Sequence, residues 1–277
     1  MFTSRTRRRV LATALVAATS FSMVACSSSS EGDDQTVKVA TSPGPYSELF
    51  KEGVGPVLEG EGYKLEYVEF TDLQQADVAV SEGSADLNVD QHIAYMENFN
   101  KETNSNLVNL TDIPTVPAGL YSSTHKSLDE VADGQTVGVP QDASNQSRAF
   151  LMLEQAGWLK LKEDANKSTL TNNDVAENPH NLQIKPMDSA TIPRSLDDLD
   201  WGVIPGSISY SSGVDTNLQL FQETLRPELI LQAVTTEDKK DSEWAKAVVE
   251  AYKSDEFHSF LDTENENGYW FVPDSIK

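Results

Sequence analysis

Two stretches far apart in the chain share one pattern of apolar and polar positions. Thr36–Ala40 alternates apolar and polar residues as a half-buried strand does, and a Pro- and Gly-rich turn separates it from a helix that opens at Tyr46. Thr136–Pro140 repeats the strand, and after a polar loop Asn145–Ala156 has apolar residues at helical spacing. Each copy predicts a strand, a polar loop and a helix N-terminus.

A second unit is also present twice. Leu73–Gly83 has the pattern of a helix and leads into a strand over Ala85–Val89, whereas Ile192–Leu196 leads into a buried strand over Trp201–Ile204. Alternating strands and helices favour parallel sheets covered by helices. Because the plan occurs twice, the sequence predicts two similar α/β lobes, with polar strand ends facing a common cleft.

Two extended segments, Val116–Tyr121 and Ile230–Val234, flank the second copy and are interpreted as crossings between the lobes. Ser242–Leu261 has helical spacing, which predicts a helical return that packs on the first lobe. The expected boundaries are 36–118 for the first lobe, 119–233 for the second lobe and 234–277 for the return.

The N-terminus has the composition of an export signal. Basic residues between Arg5 and Arg9 precede the uncharged, mostly apolar run Val10–Val24, which is shorter than the roughly 18 residues that a membrane-spanning helix needs. We expect residues 1–25 to be removed, Cys26 to be lipidated, and residues 26–35 to form a polar tether. Two alternatives are a signal in which Cys26 has no role, and twin-arginine rather than general export.

Charge and cysteine content exclude some classes of protein. The net charge of −23 includes four arginines of the signal, so the mature chain carries −23 − 4 = −27. Such a charge repels nucleic acid, which is excluded as a partner. Cys26 is the only cysteine in the chain, so no intramolecular disulfide can form.

The stretch DLNVDQHIAY raises the question of a metal site. Asp86, Asn88, Asp90 and Glu97 have much of the spacing of a calcium loop, but the sixth position, which requires glycine, is Gln91. The four histidines are widely separated, and zinc needs several His or Cys ligands together. We therefore expect neither a metal nor another cofactor.

The sequence favours a binding protein over an enzyme. It contains no Gly-x-Ser-x-Gly elbow, no phosphate-binding glycine loop and no dinucleotide fingerprint. Since catalytic residues can also be scattered, this absence only favours binding without chemistry.

Arg148 is the most informative candidate residue. It follows Asn145 closely at a predicted helix N-terminus, where backbone N–H groups favour an anion and not a cation. A ligand carboxylate bound by the guanidinium would explain this position. The alternative is pairing with an acidic side chain of the surface. Phe70 and Tyr95 fit either pocket walls or core aromatics.

The strings VEFTD, QHIAY, ENPHNL and PRSLDD, within longer runs covering nearly the whole mature chain, resemble methionine-binding lipoproteins of the NlpA/MetQ type. The resemblance implies an α/β, two-lobe periplasmic-binding-protein-like fold of type II. Its mixed sheets carry helices on both faces, and its hinge has two crossing segments. It also implies a monomer, lipid-anchored at the extracytoplasmic face of the cell membrane, that captures an amino acid for an ABC permease.

The same resemblance assigns a binding site. The pocket of the family maps onto Phe70, His92, Tyr95, Asn145 and Arg148. Asn145 and Arg148 would hold the α-carboxylate and amino group of the ligand, whereas His92 and Tyr95 would shape the side-chain pocket.

Three positions depart from the family pattern: Asp90 replaces Phe, Leu73 replaces Tyr, and Pro205 replaces an amide that would contact the ligand. A buried carboxylate facing a thioether is unfavourable unless it is paired or protonated. One hypothesis is that methionine binds while Asp90 is solvated or bonded to His92. The other is a methionine derivative, small peptide or cationic amino acid whose positive group meets Asp90.

Overall fold

The computed structural model describes residues 35–266 and 268–277. Cys26, the signal 1–25 and most of the tether therefore lie outside the described residues. Within this part of the chain, no helix is both long enough and apolar enough to cross a bilayer.

The strands form two five-stranded sheets and a two-stranded ribbon. In chain order they are β1 (Thr36–Thr41), β2 (Lys64–Glu69), β3 (Leu87–His92), β4 (Leu107–Asp112), β5 (Gly119–Tyr121), β6 (Thr136–Pro140), β7 (Lys160–Leu161), β8 (Val175–Glu177), β9 (Gln183–Met187), β10 (Trp201–Ile204), β11 (Gln219–Gln222) and β12 (Leu231–Thr236).

Helices connect these strands, and a π-helical turn over Phe50–Val54 joins the first two helices. The α-helices of the described residues are α1 (Pro45–Leu49), α2 (Gly55–Gly60), α3 (Leu73–Ser81), α4 (Ile93–Thr103), α5 (Ala143–Gln155), α6 (Gly206–Ser212), α7 (Glu243–Ala251) and α8 (Asp255–Glu264).

The two large sheets share one topology. The first has the order β2-β1-β3-β12-β4, in which β1 runs parallel to β2 and β3, whereas β12 is antiparallel to β3 and β4. The second has the order β9-β6-β10-β5-β11, in which β6 runs parallel to β9 and β10, and β5 is antiparallel to β10 and β11. The predicted α/β fold class with two mixed sheets is therefore confirmed.

Helices cover both faces of the first sheet, and β3 at its centre is accordingly buried at every position. Val37 and Val39 of β1 belong to a core that also contains residues of α1, α2, α7 and α8. Ala40, which points to the opposite face, belongs to a second cluster with residues of α3 and α4. The second sheet has its own core, formed with α5 and the edge-to-face pair Trp158 and Trp201.

Two boundaries differ from those expected. Ile230–Val234 is not only a crossing: β12 lies in the first sheet, so the return begins a few residues before position 234. The predicted helix over Ser242–Leu261 is two helices, because the Ser254 hydroxyl accepts a hydrogen bond from Phe257 N at 3.2 Å and starts α8. Hydrophobic spacing continues across this break and does not reveal it.

The backbone of the first crossing packs directly against α6. A Cβ added at Gly206 would lie 2.3 Å from Val116 O and 2.7 Å from Val116 Cβ. Only glycine allows this approach between the crossing segment and the second lobe.

We expect Gly206→Ala to lower the free energy of unfolding by about 1–3 kcal/mol, because the methyl group must displace the backbone of Val116. Urea denaturation measures the change. Gly60→Ala is the matched control, since Gly60 ends α2 with nothing within 4 Å of an added Cβ; that change should stabilise by roughly 0.5–1 kcal/mol. Equal stability of both variants would contradict the close approach.

Candidate functional site

Polar loops at the strand ends border a cavity of about 670 Å³ that is lined from both lobes. β3 and the start of α4 contribute from the first lobe, while α5 and the start of α6 contribute from the second. Of the six predicted site residues, five line this cavity: Asp90, His92, Tyr95, Asn145 and Arg148. Leu73 and Pro205, two of the departures from the family pattern, line it as well.

Phe70 is not among the residues that line the cavity. It is partly buried and packs against the apolar cluster of α3 and α4. The residues that directly follow it, 71–74, do line the cavity. In this structure Phe70 is therefore a packing residue of the first lobe and not a pocket wall.

Arg148 is buried, with 4% of its surface exposed, and it already has a carboxylate partner. Its Nε donates to Glu223 Oε1 at 2.9 Å and to Oε2 at 3.0 Å, and its Nη2 also donates to Oε1. The alternative of pairing with an acidic residue is thus realised, but with a buried acid of the second lobe. Burial alone would lower the pKa of Arg148, whereas the charge and hydrogen bonds of Glu223 raise it.

A free backbone N–H group at the N-terminus of α5 also has its hydrogen-bond acceptor within the protein. The helix begins at Ala143, two residues before the predicted start, so Arg148 lies in its second turn and not its first. Asp142 caps the helix: its Oδ1 accepts hydrogen bonds from Asn145 N at 3.0 Å and Asn145 Nδ2 at 3.1 Å. Protein carboxylates therefore already pair with both groups that were expected to hold the ligand carboxylate: Glu223 with Arg148, and Asp142 with the helix end.

Glu223 connects Arg148 to the first crossing between the lobes. Its Oε1 accepts a hydrogen bond from Ala118 N at 2.7 Å, and its own N–H donates to Ala118 O at 3.1 Å. Glu223 follows β11 and lies 75 positions from Arg148 in sequence. No local pattern relates the two residues, and for that reason sequence reasoning missed Glu223.

Asp90 is held by donors of its own lobe. Ser42 N and Ser42 Oγ donate to its Oδ2 at 2.8 and 2.9 Å, and Ser47 Oγ lies 2.8 Å from its Oδ1. Asn88 Nδ2 makes a longer contact with Oδ2 at 3.4 Å. Burial raises the pKa of Asp90, and these hydrogen bonds oppose that effect. The expected alternative of a bond between Asp90 and His92 is replaced by this set of donors.

His92 links the lobes across the cavity. Its Nδ1 accepts the hydrogen bond of Tyr95 N at 3.1 Å and caps α4, so the ring proton lies on Nε2. Nε2 faces Asn145 Oδ1 at 3.3 Å and donates to it. Burial, with a further contribution from Arg148, lowers the pKa of His92 to about 3. The imidazole is therefore neutral at physiological pH.

The cavity wall is rich in acidic groups. Asp72, Asp142 and Asp188 line it together with Asp90. Among its described lining residues, Arg148 is the only permanent cation, and Glu223 balances that charge. In residues 35–266 and 268–277, no group of three or more His, Cys, Asp or Glu side chains is arranged to hold a metal ion.

Comparison with known proteins gives the family. The NlpA lipoprotein family is matched by residues 37–272. The D-methionine-binding lipoprotein MetQ of Escherichia coli strain K12 is 33% identical over 242 residues, covering 86% of this chain and 89% of that protein.

A solved structure of a nutrient binding protein from Burkholderia cenocepacia bound to methionine superposes with a TM-score of 0.78 at 32% identity. The match covers 85% of this chain and 99% of that chain. The substrate binding protein of a methionine transporter from Streptococcus pneumoniae has a TM-score of 0.77 at 29% identity, covering 86% and 96% of the two chains. The resemblance found in the sequence is confirmed, and the chain belongs to the NlpA lipoprotein family.

Proposed function

We propose that this protein captures methionine between its two lobes and delivers it to the permease of an ABC importer. The observation that carries the proposal is the cavity of about 670 Å³, which has a buried guanidinium on one lobe and a neutral imidazole on the other. Relatives named for methionine binding, and a structure with methionine bound, support the choice of ligand.

Arg148 can bind the α-carboxylate while it stays paired with Glu223. A guanidinium has five N–H donors, and Glu223 occupies those of Nε and one of Nη2. Within the described residues, Nη1 has no hydrogen-bond partner. Its donors remain for a ligand, and the Glu223 carboxylate fixes the plane in which they point.

Closure follows from contacts that require both lobes. Tyr95 and His92 belong to the first lobe, whereas Asn145 and Arg148 belong to the second. A ligand that touches all of them stabilises the closed arrangement by its differential affinity. Capture in this proposal involves no chemical step and no cofactor.

The N-terminal sequence indicates where the protein acts. We place the protein at the extracytoplasmic face of the cell membrane as a monomer, anchored by lipid on Cys26 after removal of residues 1–25. Two or more acyl chains on one residue suffice for stable anchoring. The polar tether leaves the lobes free to reach the permease.

The acidic cavity wall favours one alternative ligand class. Asp72, Asp142 and Asp188 face the cavity with Asp90, which would suit a cationic amino acid or a methionine derivative with an added positive group. The donors of Ser42 and Ser47 favour methionine, because they satisfy Asp90 without any group from the ligand.

Isothermal titration with methionine tests the proposal, and charge-balanced variants test its anchor. Since Arg148→Met alone would leave Glu223 buried and unpaired, the informative variant is Arg148→Met with Glu223→Gln. We expect it to lose about 2–5 kcal/mol of methionine binding relative to Glu223→Gln alone, which keeps the guanidinium. Equal affinities of the two variants would show that Arg148 does not bind the ligand.

Asp90→Asn separates the two ligand classes. The amide turns a donor towards Ser42 and Ser47, so we expect a loss of about 1–3 kcal/mol in unfolding free energy. Methionine affinity, compared with the unmodified protein by titration, should change by less than about tenfold. If lysine displaces methionine from the unmodified protein and Asp90→Asn abolishes that competition, the cationic class is correct instead.

The pKa of His92 predicts the effect of pH. In the unfolded chain this residue titrates near its ordinary pKa of about 6.5, whereas the folded protein takes up the proton only near pH 3. Its contribution to stability is therefore fully present above pH 6.5 and declines as the pH falls towards 3, by up to about 1.4 kcal/mol per pH unit.

Urea denaturation of the unmodified protein and of His92→Gln between pH 7.5 and pH 4 checks this prediction. The difference in unfolding free energy between the two should shrink on acidification, because glutamine does not titrate. A constant difference would mean that His92 protonates normally in the folded state.

A further inference from the structure

A buried acid lies directly behind the cavity wall. Asp77 of α3 has no exposed surface, and Gln91 of β3, which lines the cavity, is 1% exposed. Gln91 Nε2 donates to Asp77 Oδ1 in a short contact. One planar carboxyl group thus faces one planar amide group, with one hydrogen bond between them.

The other half of each group has no partner. Asp77 Oδ2 and Gln91 Oε1 are both buried, and neither has a hydrogen-bond partner within the described residues. If Asp77 were ionised, both atoms would be acceptors, and two acceptors cannot satisfy each other. Buried polar atoms left in that state are rare because each one destabilises the folded protein.

We infer that Asp77 is protonated in the folded protein and that its Oδ2–H donates to Gln91 Oε1. A carboxylic acid and a primary amide pair through two antiparallel hydrogen bonds, O–H to O=C and N–H to O=C. A single proton therefore supplies the donor that both unpartnered atoms lack. The hydrogen bond already present between Gln91 Nε2 and Asp77 Oδ1 is one of the two.

The surroundings of Asp77 also favour the neutral acid. Burial raises its pKa well above the ordinary value, with the hydrogen bond from Gln91 opposing and the charge of Asp90 on β3 adding to the rise. Tyr95 of α4 is a further ionisable group nearby; burial raises the pKa of that phenol, and a charge on Asp77, where the acid is ionised, adds to the rise. The groups that act on the pKa of Asp77 include no cation.

The proton gives Asp77 a positioning role in the cavity wall. Gln91 Nε2 also lies 3.2 Å from Asn88 Oδ1, and Asn88 contacts both Ala40 O and Asp90. Protonated Asp77 fixes which end of the Gln91 amide faces Asn88, and through Asn88 it supports Asp90. This inference concerns the protein without ligand and is independent of which molecule it captures.

Infrared difference spectroscopy of the full-length protein at neutral pH tests the protonation directly. A protonated carboxyl group has a C=O stretch separate from that of carboxylates, and exposed acids do not contribute to it at this pH. We expect the band in the unmodified protein, its loss in Asp77→Asn, and its retention in Asp90→Asn. Asp164→Asn, which changes an exposed acid, is the matched control and should also retain the band.

Absence of the band from the unmodified protein, its persistence in Asp77→Asn, or its loss only in Asp90→Asn would each overturn the inference.

The pH dependence of stability is a second readout, and it does not depend on the assignment of an infrared band. Because the folded state keeps the proton of Asp77 to higher pH than the unfolded chain does, stability falls as the pH rises towards the folded pKa. Asp77→Asn should remove a pH dependence equivalent to about one proton, and an unchanged slope would contradict protonation.

Discussion

The buried pair of Arg148 and Glu223 is the interaction on which the organisation of the cleft depends. Two opposite charges are removed from water in the second lobe, and this arrangement is tolerated only because their geometry satisfies both groups. Glu223 is held at the same time by the backbone of Ala118 in the first crossing. The position of the guanidinium is therefore tied to the first segment that crosses between the lobes.

Neutral and paired groups dominate the rest of the cavity. His92 is uncharged, Asp90 is surrounded by hydroxyl and backbone donors, and Asp142 is used by the helix that it caps. Hydrogen bonds within the protein thus fix the direction of these groups, and Glu223 supplies the counter-charge of Arg148. A zwitterion such as a free amino acid suits that arrangement, because it requires donors and acceptors in fixed positions and no large counter-charge.

The sequence was sufficient for the fold class because hydrophobic alternation and helical spacing report directly on burial. The strand Thr136–Pro140 was placed correctly to the residue, whereas the break between α7 and α8 was missed, since a serine cap interrupts the backbone without interrupting the apolar stripe. In the site, the strand ends predicted several of the loops that line the cavity. The hydrogen-bond partners of Arg148 and Asp90 are distant in sequence and meet them only in the folded chain. The spacing of residues along the sequence therefore could not predict these pairs.

The insertion of β12 between β3 and β4 has a consequence for how the chain acquires its structure. All strands of the second sheet lie between residues 119 and 222, so that half can assemble from contiguous sequence. The first sheet stays incomplete until Leu231–Thr236 has been synthesised and has returned to fill the gap between two strands made much earlier. Such distant pairing is slow to form, and it keeps the N-terminal half loosely organised for longer than its own sequence would suggest.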